Sequence, residues 1–390
     1  MNNSPSKLKK FVQTAYNKVR SSKIPTHNFQ KVYTAVFCRA VKIFQLLVFF
    51  FFNFIMEEAM FYSKKEKNVQ CELCPRRCFI KNGERGFCGV RENRDGKLYS
   101  LVFGKAIAVA VDPIEKKPFF HFFPGTKTLS IATVGCNLKC LHCQNFDISQ
   151  PENKEIQGED LQPDEIIKIA KNYSGISWTY TEPTVFYEYF YETAKLCNKI
   201  SPGLYQTWVS NGFTNPEPIK KAAEFLDAVN VDYKGDDKFY RNVCSAWLEP
   251  VQDAIKLYKK LGVWVELTNL IIPGHNDKDS IIKEMCSWIL DNLGPDVPLH
   301  FSAYFPYHKM SAPQTPFQTL EHAYEIAKNA GINYVYIGNV RNEKENTYCH
   351  NCNKLLIERF GYSVIKIDIK KKGKDYHCPN CNTKIPIFLK

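Results

Sequence analysis

The sequence predicts an α/β protein: a partial (β/α)6 TIM-like barrel between a small N-terminal cysteine-rich module and a C-terminal zinc-ribbon-like module. Three observations carry this reading. Short apolar runs alternate with helical patterns between Leu129 and Asn339. Eleven of the fifteen cysteines fall in three tight groups, before, at the start of and after that alternation. The length of 390 residues exceeds one typical domain and leaves room for a large core with attachments. Hydrophobic residues at 44% and charged residues at 24% are globular values, which excludes wholesale disorder, collagen and coiled coil.

Residues 1–55 are compositionally foreign to the rest. They hold nine Lys or Arg and no Asp or Glu, so they carry +9 of the net +12. Residues 56–390 carry the remaining +3, too little for an electrostatic footprint on a phosphate backbone. No nucleic-acid partner is therefore expected. The apolar run from Ile43 to Met56 has fourteen residues, with Gln45 and Asn53 inside it. That falls short of the roughly 20 needed to span a bilayer. The reading favoured is that translation starts at Met56. A membrane-surface anchor and an organelle-targeting peptide are the alternatives. A membrane partner follows only from the anchor.

Residues 56–124 form the N-terminal module. Within it, 98–112 reads as one or two strands. The core follows over 125–340. Its strands are expected at 129–135, 175–180, 205–211, 228–233, 263–270, 299–305 and 334–338, rich in Val, Ile, Thr and aromatics as buried parallel strands are. Helices are expected at 163–172, 185–198, 216–225, 250–261, 279–292 and 320–330. Strands alternating with helices imply right-handed βαβ units and a parallel sheet. Six or seven units over this length suggest a complete or partial barrel, with chemistry at the C-terminal strand ends. A doubly wound sheet is the competitor. Residues 341–390 make the last module, in which the lysine-rich run 370–374 reads as a solvated hairpin turn.

The cysteine spacings point to metals, since nothing at the N-terminus has the layout of a secretory signal and a disulfide framework is the weaker reading. Cys136, Cys140 and Cys143 stand at C-x3-C-x2-C directly after the first core strand. Three thiolates on one short loop can hold three irons of a cubane cluster and leave the fourth open. A structural zinc would want a fourth ligand, and only His142 is adjacent. Cys349, Cys352, Cys378 and Cys381 form two knuckles suited to a closed tetrahedral zinc, with a rubredoxin-like iron as the alternative. Cys71, Cys74, Cys78 and Cys88 suit either zinc or an auxiliary iron–sulfur cluster, and the spacing does not decide between them. Cys38, Cys197, Cys244 and Cys286 read as buried small hydrophobes.

The central motif resembles that of radical S-adenosylmethionine (SAM) enzymes, C-x3-C-x-aromatic-C, with His142 at the aromatic position. The resemblance continues in chain order. Tyr180-Thr181-Glu182-Pro183 stands where the family carries a Gly-Gly-Glu-Pro-like segment, with Tyr180 and Thr181 in place of the glycines. Ser210-Asn211-Gly212 resembles the family's Ser/Thr-Asn-Gly segment. Asp232-Tyr233-Lys234 and Ile272-Pro273-Gly274-His275-Asn276-Asp277 resemble segments of pyruvate formate-lyase activating enzymes. Cys71-Glu72-Leu73-Cys74-Pro75-Arg76-Arg77-Cys78, Gly86-Phe87-Cys88-Gly89-Val90-Arg91, Val134-Gly135-Cys136-Asn137, Gln144-Asn145 and Thr347-Tyr348-Cys349-His350-Asn351-Cys352 are similar to the AmmeMemoRadiSam system subgroup.

This resemblance implies a [4Fe–4S] cluster on Cys136, Cys140 and Cys143, with SAM chelating the open iron. One electron would cleave the sulfonium carbon–sulfur bond, giving methionine and a 5′-deoxyadenosyl radical that abstracts hydrogen from a substrate. Thr181, Glu182, Ser210, Asn211, Asp232, Lys234 and His142 would contact the cofactor. The implied partners are an electron donor such as flavodoxin or ferredoxin and, in the activating-enzyme version, a protein whose glycine Cα loses hydrogen. Radical modification of another protein or a small metabolite is the alternative. A zinc-ribbon nucleic-acid-binding protein and a plain electron carrier are the competing classes. An open iron is oxygen-sensitive, so an anoxic cytoplasm is expected.

Overall fold

Each of the seven expected core strands is present in the computed structural model, which describes residues 56–150 and 155–390. The expectations placed on residues 1–55 lie outside the described residues. The strands are β1 (Ala108–Pro113), β2 (Lys127–Ala132), β3 (Gly175–Trp178), β4 (Tyr205–Ser210), β5 (Ala228–Asp232), β6 (Trp264–Ile271), β7 (Leu299–Ala303) and β8 (Val335–Gly338). They pair in strict sequence order from β1 to β8. β2 to β8 run parallel, and β1 lies antiparallel on the edge beside β2. The seven parallel strands match the upper end of the six or seven units expected. β1 and β8 are not neighbours, so the sheet is open.

Alternation along the strands sorts the two faces. Leu129, Ile131, Ile176, Trp178, Trp208, Val229, Val231, Leu267 and Ile337 join one apolar cluster with helix residues such as Ile166, Phe190, Ile219, Ile255 and Ile289. Burying an aromatic as large as Trp178 or Trp208 contributes roughly 3 kcal/mol each. The other face is polar. Thr128, Ser177 and Thr207 link their hydroxyls across three strands at 2.8 and 2.7 Å, and Thr268 donates to Asn230 at 2.8 Å. A doubly wound sheet would be apolar on both faces.

Besides a single turn at Phe146–Ser149, the helices are α1 (Pro163–Ala170), α2 (Tyr187–Ile200), α3 (Pro216–Ala222), α4 (Asp237–Cys244), α5 (Glu249–Lys260), α6 (Asp279–Leu293) and α7 (Phe317–Ala330). Their starts follow local chemistry. Pro163 and Pro216 open α1 and α3 at positions that need no N–H, and Asp236 caps α4 by accepting from the Phe239 amide at 2.8 Å. The α4 helix was not expected from the sequence. Nor were three strands between Lys97 and Pro113, where one or two were read: Lys97–Ser100, Lys105–Ala106 and β1.

The flanking modules attach at opposite ends of the strands. Near the C-terminal ends, Arg76 donates to the Asn137 carbonyl at 2.5 Å and Asn215 donates to the Glu72 carbonyl at 2.6 Å. Near the N-terminal ends, buried Arg359 donates to the carbonyls of Phe120 and Glu345 and to the Thr347 hydroxyl. His121 contacts the Pro386 carbonyl at 2.7 Å and the Tyr336 hydroxyl at 2.6 Å. The last module holds two small antiparallel sheets. The expected lysine-rich turn is a strand, Lys370–Lys372, turning at Gly373 into Asp375–His377.

Candidate metal and cofactor site

The central cysteine loop leaves β2 through Gly135, whose φ is +98°. A Cβ there would lie 2.6 Å from Val90 Cγ1 and 2.9 Å from the Cys88 carbonyl, so only glycine passes. The loop then clamps onto the end of α4: the amides of Lys139 and Leu141 donate to the carbonyls of Cys244 and Val243 at 3.1 and 2.9 Å. Cys136 Sγ receives two donors, the Leu138 amide at 3.4 Å and Asn211 Nδ2 at 3.6 Å. Cys143 Sγ lies 3.1 Å from the Ser149 hydroxyl. Donors aimed at sulfur stabilise thiolate, and metal binding deprotonates a thiol outright even where burial pushes it up, as at Cys136 and Cys143.

Asn211 is the hinge of the surrounding network. Its Nδ2 also donates to Asn137 Oδ1 at 2.9 Å, and its Oδ1 accepts from the Phe213 amide at 2.9 Å. Glu182 sits beneath it, 1% exposed. The carboxylate accepts from the Thr184 amide and hydroxyl, the Ser210 hydroxyl and the Asn211 amide, all between 2.7 and 2.9 Å. Glu182 and Ser210 thus knot the ends of β3 and β4 together. Gly212, at φ +71°, passes where a Cβ would lie 2.7 Å from Val231 Cγ1.

The groups left nearer to solvent are on the next strand end. Lys234 Nζ pairs with Asp232 at 2.7 Å, with side chains 13% and 37% exposed. Burial alone would push Lys234 down, but the Asp232 carboxylate beside it holds its ammonium well above the ordinary range. Asn276 donates to the Lys234 carbonyl at 2.7 Å and to the Leu270 carbonyl at 2.8 Å, and accepts from the Ile272 amide at 2.7 Å. Thr181 donates to the Thr133 carbonyl at 2.8 Å. His142 is buried, is pushed down to about 3 by that burial, and is therefore neutral, with an unpartnered Nδ1.

The comparisons with known proteins bear on this geometry. A profile described as "Radical SAM superfamily" matches residues 130–289. That span starts in β2, takes in the cysteine loop and ends in α6. The chain is 48% identical over 341 residues to the uncharacterized protein MJ0808 of Methanocaldococcus jannaschii, covering 86% of this chain and 100% of that one.

The chain belongs to the radical SAM superfamily.

Solved structures similar to this radical SAM protein include a domain of pyruvate-formate lyase-activating enzyme from Bacteroides vulgatus. That pair shares 18% identity, covers 42% of this chain and 99% of the other, and has a TM-score of 0.36. A radical SAM methyltransferase from Sphaerobacter thermophilus shares 15% identity, covers 56% and 68%, and has a TM-score of 0.45.

Among the described residues of this radical SAM protein, two groups of three or more ligand atoms lie mutually within 4.8 Å. One is Cys349, Cys352, Cys378 and Cys381, with two sulfur pairs at 3.6 Å. The other is Cys140, His142 and Cys244. Cys197, Cys244 and Cys286 are buried as small hydrophobes are, and Cys244 also lies beside Cys140. The α4 helix turns its sulfur toward Cys140, whose thiol is pushed well up first by that hydrogen bond and then by burial. Cys38 lies outside the described residues. Cys136, Cys140 and Cys143 do not all lie within 4.8 Å of one another.

Sequence reasoning also missed Asp112 and Lys117, both buried, which pair at 2.7 Å behind Tyr180. Neither belongs to a spacing motif, and Asp112 lies on the antiparallel edge strand. Asn145, noted in the sequence only as part of a motif, donates to the Tyr180 carbonyl at 2.7 Å.

Proposed function

We propose that this protein reductively cleaves SAM at a [4Fe–4S] cluster held by Cys136, Cys140 and Cys143 and abstracts hydrogen from a substrate. The observation that carries the proposal is the clustering at one end of the sheet. The cysteine loop and the segments ending β3 and β4 come together there through Asn137, Asn211 and Glu182. When bound, the cluster and SAM supply one-electron scission of a carbon–sulfur bond.

The chain's own groups hold and shield that chemistry. The Leu138 amide and Asn211 Nδ2 stabilise the Cys136 thiolate. Asp232 and Lys234 offer opposite charges to the ammonium and carboxylate of a methionyl group. His142, neutral and buried against Phe239 at 5.9 Å between ring centroids, offers an apolar wall with one free ring nitrogen. Glu182, Ser210 and Asn211 position the strand ends, and Thr181 fixes the turn above them. The substrate class proposed is a C–H bond in a partner protein, as for activating enzymes. The two segments resembling those enzymes are hydrogen-bonded together through Asn276 and Lys234. Zinc is proposed for the four C-terminal cysteines, since zinc about 2.3 Å from each of four sulfurs sets them about 3.8 Å apart.

The test is full-length protein with anaerobically reconstituted iron and sulfide, given dithionite and SAM, beside the Cys136→Ala, Cys140→Ala, Cys143→Ala variant. Release of 5′-deoxyadenosine by the parent alone is expected. No release from a parent holding a reducible cluster would remove the proposal.

A further inference from the structure

The four N-terminal cysteines are free thiols grouped around one small cavity. Cys71, Cys74, Cys78 and Cys88 all line it, with Leu73, Ile80, Phe87, Arg76 and Arg91. Two features of that cavity separate it from the C-terminal knuckles. The first is spacing. No three of its sulfurs lie mutually within 4.8 Å, whereas all four C-terminal sulfurs do. Four thiolates on one zinc must crowd to about 3.8 Å, but thiolates on different irons of a cluster need not crowd around one point. The central trio, Cys136, Cys140 and Cys143, shows the same open spacing within the same molecule.

The second feature is unmet polarity. Arg91 is 1% exposed, and its Nε and Nη1 have no hydrogen-bond partner. Its remaining nitrogen donates to the Met60 carbonyl and lies 3.1 Å from Glu188. Two orphaned donors of a buried guanidinium cost on the order of several kcal/mol unless an anion completes them. An iron–sulfur cluster with four thiolates is anionic and carries sulfides that accept hydrogen bonds. The Phe87 amide already donates to Cys78 Sγ at 3.5 Å, as backbone amides do to cluster sulfurs.

We infer that Cys71, Cys74, Cys78 and Cys88 hold an auxiliary iron–sulfur cluster rather than zinc. Every iron of this cluster is capped by thiolate, so it offers no open position to SAM or substrate, and its chemistry is one-electron transfer. Its location suits that role. Arg76 stacks over Phe87 at 3.5 Å and donates to the carbonyl of Asn137, the residue after Cys136. The Cys88 carbonyl packs against Gly135, the residue before Cys136. The two cysteine sites therefore share a wall.

The inference does not rest on cleavage of SAM and is tested by metal content. Full-length protein carrying Cys136→Ala, Cys140→Ala and Cys143→Ala is reconstituted anaerobically with iron, sulfide and zinc. About two to four irons with matching acid-labile sulfide should remain. A reduced-state EPR signal unmoved by SAM should accompany them, beside about one zinc. About two zincs with no labile sulfide overturn the inference, as does an N-terminal site that takes neither metal. If the triple variant does not fold, a Cys74→Ser, Cys88→Ser variant answers the same question. It should lose part of the parent's iron and sulfide and keep the SAM-responsive signal. Unchanged iron and sulfide in it overturn the inference.

Discussion

The Tyr180 hydroxyl donates to the Asp112 carboxylate at 2.5 Å and thereby holds a backbone that tyrosine alone disfavours. Tyr180 sits at φ +63°, in the left-handed region that glycine enters freely. The chain makes this turn with a tyrosine by other means. Lys117 Nζ lies 2.7 Å from Asp112 and 4.0 Å above the Tyr180 ring, and Asn145 takes the Tyr180 carbonyl. A side-chain anchor thus replaces conformational freedom.

Removing the anchor should release the turn. Tyr180→Phe deletes a hydrogen bond to a charged group, so a loss of about 2 kcal/mol in urea denaturation is expected. Affinity for SAM, followed by equilibrium binding to reconstituted protein, should weaken with it. Tyr180→Gly should retain more affinity than Tyr180→Phe, because glycine keeps the turn unaided.

Lys234 is expected to act on cofactor affinity rather than on folding. Its ammonium is partly exposed and faces the cysteine loop. Lys234→Met should weaken SAM binding roughly tenfold, the worth of one charge-assisted contact, and leave the thermal midpoint nearly unchanged. A large drop in midpoint with unchanged affinity would contradict this assignment.

Gly135→Ala should cost the central cluster. The added methyl meets the Cys88 carbonyl and Val90, and neither yields cheaply because both belong to a packed loop. Iron incorporation at Cys136, Cys140 and Cys143 should fall, read as loss of the SAM-responsive EPR signal. Zinc at the far end of the strands should persist.

The join between the sheet and the C-terminal module should loosen in acid. Burial holds the His121 imidazole down at about 4, below the 6.5 it has when exposed. The unfolded chain then takes up a proton that the folded chain refuses. Stability is full above about pH 6.5 and declines as pH falls toward about 4, by on the order of 3 kcal/mol. Glu266 opposes the shift, while Arg359 and His300 reinforce it. Denaturation midpoints of wild type and His121→Asn across that interval should converge at the acid end. Parallel pH profiles would refute the role given to His121.

Stripping the zinc proposed for the C-terminal cysteines should unfold that module first. Its apolar cluster is small: Leu356, Ile357, Ile385 and Ile387 with Cys349 and Cys378. Such a core folds only with help from a metal. Cys378→Ser should abolish zinc binding and remove hydrogen-exchange protection from residues 347–387. The strands β2 to β5 should keep theirs.

The core was largely legible because local signals agreed with the global sheet. Strands 205–211 and 228–233 lie where apolar runs placed them, and the motif segments fall at their C-terminal ends, as in any βα-built fold. Two kinds of feature were hidden. Cys244 looked inert because its partner, Cys140, is about a hundred residues away and the helix that presents it is a single amphipathic octet. The buried network of His121, Glu266, His300 and Tyr336, extended to Arg359 through the Thr347 hydroxyl, joins distant segments, and no periodicity announces it. Glu182 was legible as a site residue but not as a knot between β3 and β4, because its partners are set by strand register. No helix among the described residues is long and apolar enough to cross a membrane.

Each cysteine motif lies within a short stretch of chain: 71–88, 136–143 and 349–381. None borrows a thiol from another group, and the flanking modules meet the sheet at opposite ends. With the metals proposed above, loading would be modular: one stretch could be filled while another is still bare, and emptied and refilled without dismantling the rest.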